Sequence, residues 1–302
     1  MTTKAYLTNE GTVQAFFSNT YENGYAQKRN DSNVFFEGNK LYSYGYHFPM
    51  AVLHEGFYFV NADSYSPTTG KHQSYVQRMC PKGVKIEIPF SALENAGIDI
   101  KDIEVIDKEH SRYIQVERKN RETGLMEMVD MHLMGSTLFK HTGIGKTERI
   151  FLSGIDETAK DLWNGFFLTQ LVGQPTTVEE AYESMKPEVV KHCEKEGYEI
   201  LRQGEYFFVK AGEGLNQALN KMQAQKKVAL SHKKRDTTLE GAWNFEQSRH
   251  VVTNYIETDG QVFAKGTCRH VGGEHKMLKL DGWYLVHENV QEKSWTAQGR
   301  VD

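Results

Sequence analysis

The chain has 302 residues, with 36 Lys+Arg against 40 Asp+Glu for a net charge of −4, and 12% of its residues are aromatic. That balance argues against a protein that coats nucleic acid or an anionic membrane, and so many aromatics exclude a disordered chain. Three dispersed cysteines (Cys80, Cys193, Cys268) without CxxC spacing argue against a disulfide framework, and apolar runs of only a few residues exclude a membrane-spanning helix.

Hairpins dominate the first part of the chain. Val34 to Glu37 and Lys40 to Tyr44 flank Gly38-Asn39, and Ala51 to His54 and Phe57 to Val60 flank Glu55-Gly56. Both turn pairs tolerate positive φ, which two-residue hairpin loops require. Pro49 cannot donate to a ladder and belongs at a connection or an edge. Ser66-Pro67 predicts a capped helix running to about Met79-Cys80. Ser91 to Gly97 reads as a short helix, and Arg112 to Glu117 with Leu125 to Leu133 reads as a longer hairpin.

The turn-rich stretch from Ser136 to Lys146 places a boundary at 140/141, giving domains 1–140 and 141–302. Helices are expected over 156–235 and a β-rich part after them. Asp156 to Leu171 reads as an apolar helix. Thr176-Thr177-Val178-Glu179 has the form of a capping box opening a helix to Met185, with a second helix after Pro187. Tyr198 to Leu201 and Glu205 to Val209 flank Arg202-Gln203-Gly204 as a hairpin. Leu215 to Arg235 reads as the longest helix, with Leu215, Leu219, Met222 and Leu230 as its apolar stripe. Val251 to Glu257 with Gln261 to Thr267, and Met277 to Leu280 with Trp283 to Val286, read as two further hairpins. The fold class is therefore α+β: several antiparallel hairpins and sheets with interspersed helices, in two or more subdomains.

Few residues promise chemistry. Gly143-Ile144-Gly145-Lys146-Thr147 ends like a phosphate-binding loop, but Lys140 stands where the first glycine belongs. His250, Cys268, His270 and His275 are the most metal-like group, since cysteine and histidine are zinc ligands and alternate residues of a strand share a face. Their spacing matches no zinc motif, so the expectation is no metal and no cofactor. Glu37, Asp63, Glu55 and Glu205 flank hairpins and read as solvated carboxylates. Arg202 and Glu205 are expected to pair across their turn. The cations from Lys226 to Arg235 read as a solvated helix end, with an acidic partner or nucleic acid as the alternative.

Three segments resemble a group of uncharacterised proteins carried by phages and other mobile elements. They are Leu41-Tyr42-Ser43-Tyr44-Gly45 with the stretch to Gln73, Leu201-Arg202-Gln203-Gly204-Glu205-Tyr206-Phe207-Phe208, and Gly266-Thr267-Cys268-Arg269-His270 through His275 to Trp283. The chain departs from that pattern in lacking a proline after His270 and in carrying Tyr284 after Trp283. The resemblance implies a phage protein and, by analogy with inhibitors of the Gabija defence system, one that encloses a host complex. The expected function is thus a non-enzymatic inhibitor in the host cytoplasm, homo-oligomeric, without a membrane partner. Tyr42, Tyr44, Arg202, Tyr206, Phe208, Lys233, Lys234 and Arg235 would contact the host defence complex, because aromatic and arginine side chains make strong anchors. The alternatives are a metal-dependent enzyme acting on nucleic acid or nucleotides, built around His250, His270 and His275, and a nucleic-acid-binding accessory protein.

Overall fold

A computed structural model describes residues 4–19, 23–26, 33–63, 66–110, 112–120, 122–143, 147–160, 165–235, 243–291, 293–296 and 299–301. The chain forms two compact units. One runs through Gly154 and includes Trp295–Val301; the other is Ile155–Ser294. The division falls at 154/155 rather than at 140/141. Sheets with mainly antiparallel pairing and interspersed helices make the architecture α+β. Among the described residues, no helix is long and apolar enough to cross a membrane.

The first unit is built on a seven-stranded sheet in sequential order. Its strands are β1 (Lys4–Leu7), β2 (Asn23–Ala26), β3 (Val34–Glu37), β4 (Lys40–Ser43), β5 (Pro49–His54), β6 (Phe57–Asn61) and β7 (Lys85–Ile88). The β1–β2 and β6–β7 pairs are parallel. The two predicted tight turns are present, with φ of +55° at Gly38, +46° at Glu55 and +83° at Gly56. Pro49 opens β5 where the ladder with β4 shifts register, so its missing N–H falls at a break in the pairing. Helices α1 (Asn9–Phe17) and α2 (Pro67–Met79) supply Val13, Phe16 and Val76 to a core shared with Phe36, Leu41 and Met50. The Ser66 hydroxyl caps α2 by accepting from Thr69 N. A short helix, α3 (Phe90–Asn95), follows β7. Then come β8 (Ile103–Lys108), the β9–β10 hairpin (Arg112–Lys119, Met126–Leu133), β11 (Thr137–Thr142) and β12 (Glu148–Ile155). β11 pairs antiparallel with both β8 and β12.

In the second unit, β13 (Phe166–Gln170) stands where a helix was predicted. Helix α4 (Val178–Met185) is capped one residue later than the capping-box spacing indicated. Thr177 Oγ1 accepts from Glu180 N, and Glu180 Oε2 accepts from both Thr176 N and Oγ1. Helix α5 (Glu188–Lys195) leads to the hairpin β14 (Ile200–Gln203) and β15 (Tyr206–Lys210), followed by α6 (Glu213–Asn220). Four long strands complete the unit: β16 (Gln225–Arg235), β17 (Trp243–Thr258), β18 (Gln261–His270) and β19 (Leu278–Glu288). With β14 and β15 they form a six-stranded antiparallel sheet in the order β14-β15-β19-β18-β17-β16.

The predicted long helix therefore divides into α6 and an edge strand. Leu215 and Met222 are 46% and 43% exposed, while Leu230 is buried on β16 among Tyr206, Phe208 and Val252. Pairing with β17 overrides the helix preference of the Gln- and Lys-rich stretch. The predicted turn at Asp281-Gly282 also gives way, to a continuous β19. Gly282 lies against Asn216 of α6, and Asp281 accepts from Lys210 and from the Tyr284 hydroxyl.

Candidate metal centre

The second unit brings together Glu205, His250 and His275. One ligating atom of each lies within 4.8 Å of one from each of the others. Glu205 sits in the β14–β15 turn, His250 lies on β17 opposite His270 of β18, and His275 follows β18 and bridges to Ala159. The turn depends on Gly204, whose φ of +57° lies in the left-handed region. The Gln203 amide donates to the carbonyls of Cys268 and Lys276, which holds the turn over the end of β18.

Gly204 also makes room. A Cβ there would lie 2.9 Å from His275 Nε2 and 3.2 Å from both Cε1 and Nε2 of His250, so the two rings border the space that the missing side chain leaves. Glu205 Oε1 is 3.2 Å from His250 Nδ1, the opposite nitrogen of that ring. His275 Nδ1 faces Thr158 Oγ1 at 3.3 Å and Asp156 Oδ2 at 3.8 Å. His270 completes a triangle of rings, with centroids 4.9 Å from His250 and 5.2 Å from His275, and its Nε2 lies 3.7 Å from Glu274.

Burial pushes the Glu205 carboxyl up, but the hydrogen bond and charge of His250, with His275 nearby, outweigh it and leave the pKa below the ordinary value. Burial lowers the pKa of His275 against the opposing charge of Asp156, and lowers that of His270 against Glu274. Imidazole nitrogens beside a carboxylate are a donor set for a borderline divalent ion such as zinc. Metal–ligand bonds of about 2.0–2.2 Å place two ligand atoms at most about 4 Å apart, so shifts of under an ångström would close this cluster on one ion.

Of the predicted metal candidates, His250 and His275 belong to the cluster and His270 adjoins it. Cys268 does not belong: it is buried in the apolar core, and burial, with Glu205, pushes its thiol up to about 12. The predicted Arg202–Glu205 pair is absent. Arg202 Nε donates to the Gly204 carbonyl at 2.9 Å and its guanidinium lies over Phe207, while Glu205 turns to His250. Sequence reasoning passed over Glu205 as a solvated carboxylate and missed Asp156 and Thr158. The density of polar groups around Gly204 was the signal for Glu205; nothing local signalled the other two.

The predicted partner anchors are dispersed. Tyr206 and Phe208 are core side chains of the second unit, 2% and 0% exposed, with no surface to offer a partner. Tyr42 stacks on Phe35 and lines a cavity of about 660 Å³ in the first unit. Tyr44 is 43% exposed and stacks on His72. Lys233, Lys234 and Arg235 lie on β16, an edge strand and not a helix end, and their side chains lie outside the described residues. Residues 144–146 of the phosphate-loop look-alike also lie outside them. No protein family, curated protein or solved structure matches the chain.

Proposed function

We propose that the Ile155–Ser294 unit binds one divalent transition-metal ion through Glu205, His250 and His275, and that the protein is a metal-dependent hydrolase. The convergence of these three ligands within 4.8 Å carries the reading. Two histidines and one carboxylate are a ligand set of catalytic zinc sites, in which the fourth position is left to water. There the ion would lower the pKa of the water and polarise the bond to be cleaved. The test is elemental analysis of protein purified without chelator, then hydrolysis assays on ester, phosphoester and amide panels. About one metal per chain is expected, with loss in His250→Ala and His275→Ala and retention in Cys268→Ala. Metal content unaffected by the paired histidine substitutions would overturn the reading.

A protein-binding inhibitor of a host defence complex is the second reading. Tyr46 favours it, being 64% exposed and packed edge-on against the Phe35–Tyr42 stack of the first unit, and Tyr44, 43% exposed, lies on His72. Exposed aromatic clusters are typical anchor sites. A Tyr44→Ser/Tyr46→Ser variant that captures the same host complex as the native protein would remove this support.

A further inference from the structure

The metal-site reading requires His275 to present Nε2 as an acceptor, and the strap at 156–160 determines whether it does. Thr158 is at the centre of that strap. Its Oγ1 donates to Asp156 Oδ1 at 2.7 Å, and its backbone N–H donates to the same oxygen at 2.8 Å. A hydroxyl has one proton and two acceptor sites. With the proton committed to Asp156, Oγ1 can only accept from its other neighbours. One is Gly204 N at 3.2 Å, a donor by nature. The other is His275 Nδ1 at 3.3 Å. That nitrogen must then carry its hydrogen, and the neutral ring keeps its acceptor lone pair on Nε2. Nε2 is the nitrogen facing the space above Gly204. The strap itself is anchored, since Lys276 N donates to the Thr158 carbonyl and Lys160 N to the Glu274 carbonyl.

We propose that Thr158 is a positioning residue for the metal centre: its hydroxyl, oriented by Asp156, fixes His275 in the Nδ1–H tautomer and holds the Gly204 turn at the distance the site needs. This inference rests on the metal-site reading for its purpose but not for its first test. Oriented imidazole ligands of this kind commonly carry such a partner on the nitrogen away from the metal, and losing it costs about 10–100-fold in affinity.

The first experiment is two-bond ¹H–¹⁵N correlation NMR of the metal-free full chain, which reads histidine tautomers directly. Native protein and Thr158→Ser should show His275 as the Nδ1–H form. Thr158→Val, which keeps the shape and removes the hydroxyl, should shift it toward Nε2–H. In the second experiment, zinc affinity by chelator competition should fall about 10–100-fold in Thr158→Val and recover in Thr158→Ser. A merely structural role would lower the melting temperature without moving the tautomer. If Thr158→Val does not fold, Asp156→Ala serves instead, because the freed hydroxyl can then donate to Nδ1 and reverse the tautomer. An unchanged Nδ1–H tautomer in whichever variant folds overturns the proposal. A native Nδ1–H tautomer lost in Thr158→Val, in a protein that takes up no zinc, supports the positioning role while removing the metal reading.

Discussion

The first unit contains His72 and the second contains His250, His270 and His275, and their surroundings differ in kind. His72 is 2% exposed, and its ring is engaged from both sides by neutral groups. Asn9 Nδ2 lies 3.2 Å from Nε2 and Ser43 Oγ 2.8 Å from Nδ1, so Nε2 accepts and Nδ1 donates. It ties α2 to α1 and to β4, as a structural core histidine should. In the second unit, three imidazoles lie within about 5 Å of one another with carboxylates at the periphery, and two of them border one space beside Gly204. Burial alone thus does not distinguish a structural histidine from a ligand. The groups gathered around the ring do.

The largest expected effect of that difference is the response to metal. A ligand that binds only the folded state at 100 times its Kd stabilises it by about 2.7 kcal/mol. Thermal unfolding with and without zinc should show a shift of that order for the native chain. It should vanish in His250→Ala and His275→Ala and persist in His72→Ala. A shift of equal size in all four proteins would mean that zinc binds elsewhere.

Next is His72 itself. Truncation removes a buried ring and strands the Ser43 hydroxyl and the Asn9 amide, so His72→Ala should cost about 2 kcal/mol or more by urea unfolding. Zinc content should be unchanged. An effect below about 0.5 kcal/mol would show that His72 does not tie the helices together.

Two glycines sharpen the contrast further. Gly38 in the first unit and Gly204 in the second have nearly the same φ, +55° and +57°. A side chain at either incurs a left-handed conformation worth about 1–2 kcal/mol. A Cβ at Gly38 meets nothing within 4 Å, whereas at Gly204 it meets both Nε2 atoms. Both alanine variants should therefore lose similar stability from the backbone, but only Gly204→Ala should lose metal affinity. Equal affinity in the two, measured by competition, would refute the clearance argument.

These contrasts also indicate what could be read from the sequence. The turns at Gly38-Asn39, Glu55-Gly56 and Asp259-Gly260, and the Ser66 cap, are local chemistry, and they occur where the residues indicated. The stripe over 215–235 misled because its Lys, Gln and Ala residues favour helix, while Val228 and Leu230 alternate with a strand's period once β17 is there to pair. His250 and His275 were noticed as residue types, yet their convergence depends on the Gly204 turn and on a strap more than one hundred residues upstream of His275. Asp156 and Thr158 had no local signature at all. Which carboxylate reaches which ring is set by the sheet, and short-range pattern does not encode it.

The smallest effect is a pH dependence, and His72 isolates it from the metal site. Burial, with the nearby Lys71 charge, lowers its pKa in the folded protein. Unfolded, the ring titrates near its ordinary value of about 6.5. As pH falls through that value the unfolded chain takes up a proton that the folded chain refuses, so stability is present above about pH 6.5 and declines below it. The decline ends where the folded ring is finally protonated. Each pH unit within that window costs at most about 1.4 kcal/mol. His72→Gln keeps a donor and an acceptor at the site but cannot titrate. Urea unfolding of the two proteins at pH 7.5 and pH 5.5 should therefore give the native chain the larger loss, and equal losses would mean that His72 is protonated as readily in the folded protein as in the unfolded chain.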